Sequence, residues 1–325
     1  MFTGGSLLFG TTGRPDLLGP QHTAELARRQ FASAQRLAGR LPDSTQVLPT
    51  HGFGSFCSPG STGGATASTI GQEKATNPAL LSDEEAWVAE TLASLDAFPA
   101  YYAHMAPLNT DGPRAPDLSP PEKADKDILA KRIAAGEWVI DLRSRTAFTA
   151  GHVTGTLNIG LDGAFSTYLG WLVPWRAPVT LLGSTPDEVA EAQRELVRIG
   201  IDQLQGAATG TPRQWTDAPL GTLKQATFAD LAAVRHHRPV TVLDVRLAGE
   251  HANAHLTGAI SIPLHQLPGR LADLPDGEVW VHCATGYRAS IAASILAAAR
   301  IPVVVIDDDY AENASAAGLP LTTVR

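Results

Sequence analysis

The sequence has few cysteines, no basic run and no apolar run long enough to cross a membrane. Its two cysteines, Cys57 and Cys283, lie 226 positions apart in 325 residues, so a disulfide scaffold is not expected and a reducing cytoplasm is the expected location. The longest apolar stretch near the C-terminus, residues 289–299, has 11 residues and is too short to span a bilayer. The first residues, Met1 to Gly5, carry no basic charge, so no export signal is predicted.

The charge balance excludes nucleic acid as an expected partner. The chain has 25 Lys and Arg against 33 Asp and Glu, which gives a formal net charge of -8, and phosphate binding requires clustered basic residues. With 44% hydrophobic and 18% charged residues, the composition is that of an ordinary globular protein. The length allows two or three domains.

A repeat with an offset of 103 residues organises the second half of the chain. The elements that match without a gap are Asp141-Leu142-Arg143 with Asp244-Val245-Arg246, His152 with His255, Thr154-Gly155 with Thr257-Gly258, and Ile159 with Ile262. A fixed offset identifies structural units without assuming a fold. Two copies of one unit are therefore predicted.

Strands that alternate with helices are predicted in both copies. A short apolar run leads into each Asp-x-Arg and another follows each Thr-Gly, and such runs are typical of buried strands. Further strands are predicted at residues 179–182 and 279–282, and helices at residues 188–199 and 287–300. This alternation predicts an α/β fold with parallel sheets.

A proline-rich segment separates this half from an N-terminal region. Five prolines lie between Pro107 and Pro121, and they are expected to prevent helix continuation and to favour extended chain. Helices are predicted upstream at residues 23–39 and 83–95. The predicted organisation is an N-terminal region at residues 1–106, a Pro-rich linker at residues 107–118, and two α/β domains at residues 119–218 and 222–325.

One loop of the second copy has the features of an anion-binding site. It begins at Cys283 and continues through Ala284, Thr285, Gly286, Tyr287 and Arg288. The start of the predicted helix offers unpaired N–H groups and a partial positive charge, which lower a thiol pKa. Gly286 lets the amides turn inward and Arg288 adds a full charge, so Cys283 is expected to hold an anionic persulfide. The alternative is that Cys283 is a small buried hydrophobic residue.

The repeated Asp-x-Arg and His-x-Thr-Gly elements and the Cys-x-x-Gly-x-Arg loop resemble the rhodanese family of sulfurtransferases. The resemblance implies two rhodanese-like parallel-sheet domains. It also implies that Cys283 takes the outer sulfur of thiosulfate or a low-molecular-weight persulfide and passes it to a thiol or cyanide acceptor by covalent catalysis. Residues 284–288 would then bind the substrate, and no cofactor is implied.

The Cys283 loop and the Asp-x-Arg element each allow an alternative interpretation. A cysteine phosphatase or arsenate reductase has a similar loop with five residues between Cys and Arg, whereas four separate Cys283 from Arg288. The shorter loop has room for one added sulfur and is cramped for a tetrahedral phosphate. A catalytic role for Asp244 and Arg246 is the second alternative, but a structural ion pair that supports the loops is favoured, and Glu250 is also expected to be structural.

The first copy has no nucleophile at the matching position. It has Gly183-Ser184-Thr185-Pro186-Asp187-Glu188 there, without a cysteine or a basic residue. Asp187 and Glu188 suit a helix N-terminus but would repel an anionic donor. The predicted role of this copy is packing and positioning. Its aromatic segment, residues 171–175, is expected to pack between the domains, with contact to substrate as the alternative.

Three N-terminal segments carry a second resemblance. They are Phe2-Thr3-Gly4-Gly5-Ser6-Leu7-Leu8-Phe9, Gly13-Arg14-Pro15-Asp16-Leu17 and Pro49-Thr50-His51-Gly52. They resemble the C-terminal half of the metallo-β-lactamase fold, most of all the branch in which persulfide dioxygenases are fused to rhodanese domains. The resemblance implies a partial αββα region.

The N-terminal residues do not provide the ligands that this second family uses for metal. Its His-x-His-x-Asp-His motif does not occur in the chain, and Gly5 stands where the family has a metal-binding carboxylate. Since iron and zinc sites need about three convergent ligands, no metal is expected, and His51 and Cys57 are expected to be structural and passive. Exposed sheet edges in such a partial fold favour homo-oligomers. The alternative to an enzyme is a non-catalytic sulfur-binding or docking module.

Overall fold

The computed structural model describes residues 1–50, 66–113, 115–202 and 204–323. Contacts divide the chain into two compact units, Met1–Phe98 and Pro99–Arg325. The predictions for His51 and Cys57 lie outside the described residues. No described helix combines the length and the apolar character that crossing a membrane requires.

Helices and 3-10 helices occur along the whole described chain. The helices are α1 (Pro20–Arg40), α2 (Ile70–Thr76), α3 (Pro78–Leu81), α4 (Glu84–Ser94), α5 (Tyr102–Asp111), α6 (Lys126–Ala134), α7 (Arg145–Ala150), α8 (Phe165–Leu172), α9 (Pro186–Arg198), α10 (Pro212–Trp215), α11 (Phe228–Arg235), α12 (Ala248–Asn253), α13 (Tyr287–Ala298) and α14 (Tyr310–Ala316). The 3-10 helices are Leu264–Gly269 and Leu271–Asp273.

The strands are short and fall into separate sheets. They are β1 (Phe2–Gly4), β2 (Gln46–Pro49), β3 (Ser68–Thr69), β4 (Trp138–Asp141), β5 (Leu157–Asn158), β6 (Val179–Gly183), β7 (Leu204–Thr209), β8 (Lys224–Ala226), β9 (Thr241–Asp244), β10 (Ala254–Leu256), β11 (Ile260–Ser261), β12 (Val279–His282), β13 (Val303–Ile306) and β14 (Leu321–Thr323).

The N-terminal unit packs helices against a small sheet in the order β1-β2-β3. Pro20 starts α1, and its buried residues Ala27, Ala34 and Ala38 recur at helical spacing along one face. Its core is formed by Leu7, Ala27, Ala34, Val47, Ile70, Ala79, Trp87 and Val88. A sheet with helices packed on an apolar face is the layered arrangement expected for this region.

The C-terminal unit contains two parallel sheets with matching strand orders. The first sheet has the order β5-β4-β6-β7, and the second has the order β11-β9-β12-β13-β8. Every strand pair within these two sheets is parallel. Strands β10 and β14 form a separate two-stranded antiparallel sheet. The prediction of an α/β fold with parallel sheets is confirmed.

The proline-rich segment is not extended throughout, and this corrects one expectation. Helix α5 runs through Pro107 and ends at Asp111, where Gly112 follows with a φ of 83°. A proline inside a helix removes one i to i−4 hydrogen bond and strains one turn, and this short helix tolerates that loss. The division between compact units falls after Phe98, while the predicted linker limits, residues 107–118, stay a prediction.

The two sheets of the C-terminal unit share one hydrophobic core. It includes Ile140, Leu142 and Phe165 from the first sheet and its helices, and Leu243 and Cys283 from the second. Because one cluster of buried residues serves both sheets, the two sheets pack against each other within this unit. Buried polar contacts add directional restraints to this apolar packing.

Asn158 makes the most extensive of these polar contacts. It is 1% exposed, and its Nδ2 donates to the carbonyl oxygens of Asp141 and Arg143 at 3.1 and 2.8 Å. Its Oδ1 accepts from Ser290 Oγ at 3.1 Å, and its backbone N–H donates to Ser294 Oγ at 3.0 Å. This side chain therefore joins the end of β4 to helix α13.

Replacing Asn158 with Ala is expected to lower the free energy of unfolding by about 2–4 kcal/mol, since it leaves several buried polar groups without partners. Urea unfolding measures the change. Asn109→Ala, at an exposed position of α5, is the control and should change stability by less than about 0.5 kcal/mol. Equal effects of the two substitutions would show that the Asn158 contacts contribute nothing specific.

Candidate active site

Cys283 lies at the carboxyl end of β12, directly before helix α13. Since β9 and β12 are parallel and His282 lies opposite Asp244, both strands end at the same edge of the sheet. In open parallel sheets this edge is where ligands bind. The Cys283 residue is 2% exposed, whereas Thr285, two positions further, is exposed. The nucleophile candidate thus lies beneath a loop that reaches the surface.

Gly286 makes the turn from strand to helix possible. Its φ is 92°, a conformation that residues with a Cβ rarely adopt. A Cβ at this position would lie 1.9 Å from Asp307 Oδ1 and 3.2 Å from Asp307 Cα. The Asp307 carboxylate is itself held by Arg145 Nε at 2.8 Å. The loop therefore requires glycine for two independent reasons.

The loop leaves its N–H groups unpaired while its carbonyl groups are used. Ala284 O accepts from Tyr310 N at 2.8 Å, and Gly286 O accepts from Ser290 N at 2.9 Å. Within the described ranges, no hydrogen bond is made by the backbone N–H groups of residues 285–288. Unpaired amides at a helix N-terminus favour a bound anion. This arrangement can stabilise a negative charge on a sulfur attached to Cys283.

Arg288 is engaged in an ion pair and is not a free positive charge. Its Nη1 and Nη2 donate to the two carboxylate oxygens of Glu250 at 2.5 and 2.8 Å. Burial works to lower the pKa of Arg288, but the Glu250 carboxylate and the nearby Tyr168 and Cys283 raise it overall. Burial works to raise the pKa of Glu250, and the hydrogen bonds from Arg288 lower it overall. The pair is charged on both sides, and its net charge is zero.

Asp244 and Arg246 form a buried ion pair below the loop. Arg246 Nε and Nη2 donate to the Asp244 carboxylate at 3.0 and 2.6 Å, and Nη2 also donates to Ala254 O at 2.8 Å. Burial tends to raise the pKa of Asp244, but the bonds from Arg246 and the proximity of His282 lower it overall. The guanidinium lies 3.8 Å from the Tyr310 ring centroid. The pair fixes the chain after β9 and does not face the loop amides through any recorded contact.

Residues of the first sheet form one side of the Cys283 loop. Tyr287 Oη donates to Gly160 O at 2.6 Å, and the ring centroids of Tyr168 and Tyr287 lie 5.8 Å apart. Trp171 stacks on His265 of the second sheet's 3-10 helix with a centroid distance of 4.8 Å. Trp171 of the aromatic segment therefore packs against the domain of the second sheet, whereas Trp175 stacks on His104 of helix α5 with a centroid distance of 4.1 Å.

The matching loop of the first sheet is closed by its own side chains. Glu188 Oε2 accepts from Ser184 N, and Thr185 Oγ1 accepts from Glu188 N at 3.3 Å. The amides of Ser184 and Glu188 are thus used by capping side chains. This loop has no cysteine, and the carboxylate of Glu188 occupies one of its amides.

The described residues of the N-terminal unit do not fit a metal site. In the described ranges no group of three or more His, Cys, Asp and Glu side chains lies close enough to hold a metal. The buried carboxylate of Glu73 already accepts from Gly10 N at 2.9 Å and Asn77 Nδ2 at 2.8 Å. The Glu73 carboxylate is therefore already used in structural hydrogen bonds.

The structure brings together the predicted loop residues and adds one residue and one pairing that the sequence pattern did not identify. Cys283 and residues 284–288 form one loop, while Asp244, bonded to Arg246, lies opposite His282 at the same end of the sheet. Tyr168 was missed because it belongs to the other copy, 115 positions upstream of Cys283. The pairing of Glu250 with Arg288 was missed because nothing in their spacing of 38 residues indicates contact.

Replacing Gly286 with Ala is expected to lower the free energy of unfolding by about 2–4 kcal/mol through backbone strain and the clash with Asp307. Gly277→Ala is the matched control, because Gly277 also has a positive φ, of 117°, but open space around its Cα. It should lose only the strain, about 1–2 kcal/mol. Urea unfolding compares them, and an equal loss in both would contradict a crowded site at Gly286.

Stability is expected to fall as the pH decreases from about 7.5 to 5.5, because burial lowers the pKa of His282 below its usual value of about 6.5. The unfolded chain then takes up a proton that the folded chain resists, so acid favours unfolding. Asp244 opposes the shift, and Arg246 and His251 add to it. Urea unfolding at several pH values should show a smaller pH slope for His282→Phe. An unchanged slope would remove His282 as the cause.

Residues 227–316 match the family model described as Rhodanese-like domain. A crystal structure of a metallo-beta-lactamase from Staphylococcus aureus is 30% identical with a TM-score of 0.55, and the match covers 65% of this chain and 58% of that chain. A thiosulfate sulfurtransferase structure from Pseudomonas aeruginosa is 20% identical with a TM-score of 0.28, covering 62% of this chain and 41% of that chain. That TM-score is too low to carry an argument.

Among curated proteins, ATP synthase subunit b 2 of Rhizobium johnstonii is 26% identical over 134 residues, which are 41% of this chain and 61% of that protein. The chain thus spans less than two thirds of this relative and of the staphylococcal structure. The two resemblances expected from the sequence are confirmed in coarse form. The chain carries a rhodanese-like domain at residues 227–316, in an α/β protein that is similar to a metallo-β-lactamase structure over 65% of its length.

Proposed function

We propose that this protein is a sulfurtransferase that carries sulfane sulfur as a persulfide on Cys283. One observation supports the proposal most strongly: Cys283 directly precedes a helix N-terminus whose N–H groups, within the described residues, make no hydrogen bond. This loop lies within the rhodanese-like domain. The same amides that favour an anion there would stabilise a terminal persulfide sulfur.

The transfer proceeds in two balanced steps. In the first, the Cys283 thiolate attacks the outer sulfur of the donor, a new S–S bond forms, and the donor's own bond to that sulfur breaks. The donor leaves with the electron pair, as sulfite from thiosulfate or as a thiolate from a persulfide such as glutathione persulfide. In the second step a thiol or cyanide attacks the terminal sulfur and releases the Cys283 thiolate.

Each recorded contact around the loop has a role in this scheme. The amides of residues 285–288 bind the terminal sulfur, and the guanidinium of Arg288, in the same loop, is oriented by Glu250. Asp244 and Arg246 support the loop from below. Burial of Cys283 limits the access of water and of large thiols to the persulfide. The first sheet, which has no nucleophile, would support and position the second.

A non-catalytic sulfur-binding or docking module is the second candidate. The 2% exposure of Cys283 favours it, because a buried persulfide could be held without rapid release. Steady-state formation of thiocyanate from thiosulfate and cyanide separates the two candidates. Many turnovers per protein molecule support the enzyme, while a single equivalent of transferred sulfur supports the module.

Treatment with thiosulfate or glutathione persulfide should add about 32 Da to the protein at Cys283, the mass of one sulfur in a covalent intermediate. Intact-protein mass spectrometry with peptide mapping measures the adduct, and Cys283→Ser should abolish it. Cys57→Ser is the control and should keep the adduct, because Cys57 is expected to be passive. An adduct that persists in the Cys283 variant would overturn the assignment of the nucleophile.

A further inference from the structure

Tyr168 of helix α8 lies beside the Cys283 loop, where its ring contacts that of Tyr287. Its ring lies 5.8 Å from that of Tyr287, centroid to centroid, at an interplanar angle of 49°. Tyr287 is in turn fixed, because its hydroxyl donates to Gly160 O at 2.6 Å. A Cβ on Gly163 would lie only 2.3 Å from the Tyr287 ring. The segment that carries Tyr168 is therefore packed tightly against the loop.

Electrostatic interactions couple the side chain of Tyr168 to Arg288, Cys283 and Glu250. Burial raises its pKa, as do the neighbouring Cys283 and Glu250, and Arg288 only partly opposes them. The hydroxyl thus stays protonated near neutral pH and can donate a hydrogen bond. Within the part of the chain that the structure describes, no hydrogen bond to the protein is recorded for this hydroxyl. A donor that the protein does not use is available to a ligand.

The surroundings of Cys283 differ from those that a dianion requires. The Arg288 charge is matched by Glu250 through two hydrogen bonds, so the nearest full positive charge is already neutralised. The side of the site formed by the first sheet carries the aromatic ring of Tyr168, which stacks on Trp171 with 6.3 Å between the ring centroids. Such a wall favours a ligand with an organic part and a single negative charge.

We propose that Tyr168 determines the sulfur donor of the Cys283 site, selecting an organic persulfide over thiosulfate by donating a hydrogen bond from its hydroxyl. This inference rests on the proposed sulfurtransfer. The hydroxyl binds the donor while the Cys283 thiolate attacks the outer sulfur. The S–S bond of the persulfide then breaks, and the organic thiolate leaves with the electron pair. A residue of the copy without a nucleophile thereby contributes to the chemistry of the other copy.

The test measures how fast the full-length protein is loaded with sulfur by two donors. Quenched reactions with glutathione persulfide and with thiosulfate are followed by intact-protein mass spectrometry for the wild type, Tyr168→Phe and Tyr168→Ala. For Tyr168→Phe, the loading rate constant with glutathione persulfide should fall about tenfold, which corresponds to about 1.4 kcal/mol. The rate with thiosulfate should change by less than about twofold, so the ratio of the two rates is the decisive readout.

The two Tyr168 variants distinguish the contribution of the hydroxyl from that of the aromatic ring. Tyr168→Phe keeps the contact with the Tyr287 ring, so its thermal unfolding midpoint should equal that of the wild type, and Tyr168→Ala loses both groups. Tyr102→Phe removes a tyrosine hydroxyl from helix α5, outside the site, and should load at the wild-type rate with both donors.

Unchanged persulfide loading in Tyr168→Phe, or an equal loss with both donors, would overturn the role of Tyr168. Failure of the wild type to load either donor is a different result, because it overturns the proposed sulfurtransfer itself.

Discussion

The change from a buried strand to a helix within a few residues is the constraint on which the candidate site depends. Strand β12 ends at His282 and helix α13 begins at Tyr287, so the chain must reverse over Cys283 to Gly286. Only a residue without a side chain fits at Gly286, given its φ of 92° and the proximity of Asp307. Within the described residues, the turn leaves the first amides of helix α13 without hydrogen-bond partners. The anion binding proposed for this loop is thus attributed to backbone geometry.

Charge around the loop is balanced by pairing. Arg288 is bound by Glu250, and Arg246 is bound by the buried Asp244. A buried charge without a partner would be costly, so the fold retains each basic residue with an acidic one. In the proposed site, main-chain amides and the Tyr168 hydroxyl face the anionic sulfur, while Arg288 is already paired with Glu250. The proposed preference for a monoanionic donor rests on this arrangement.

Local sequence signals predicted the strands and helices around the site. They did not predict contacts between residues that are distant in the sequence. The strand at residues 279–282 was predicted at its observed limits, and the helix beginning at Tyr287 was predicted two residues longer than observed. These succeed because apolar runs and glycine act locally. The expectation that Pro107 prevents a helix was wrong, since α5 includes it. The contacts of Tyr168 and Glu250 were not predictable, because packing between distant segments leaves no periodic signal in a single sequence.

The first sheet repeats the framework of the second without its nucleophile. Its Asp141–Arg143 pair repeats the geometry of Asp244–Arg246, and Arg143 Nη2 donates to Gly151 O at 2.9 Å as Arg246 does to Ala254 O. The same framework therefore forms whether glycine or alanine precedes the histidine. The two copies differ in the loop that follows β6 and β12. In the first copy the Glu188 carboxylate accepts a hydrogen bond from the Ser184 amide. Polar contacts also join the two parts of this unit, since Asn158 Oδ1 accepts from Ser290 Oγ and Tyr287 Oη donates to Gly160 O.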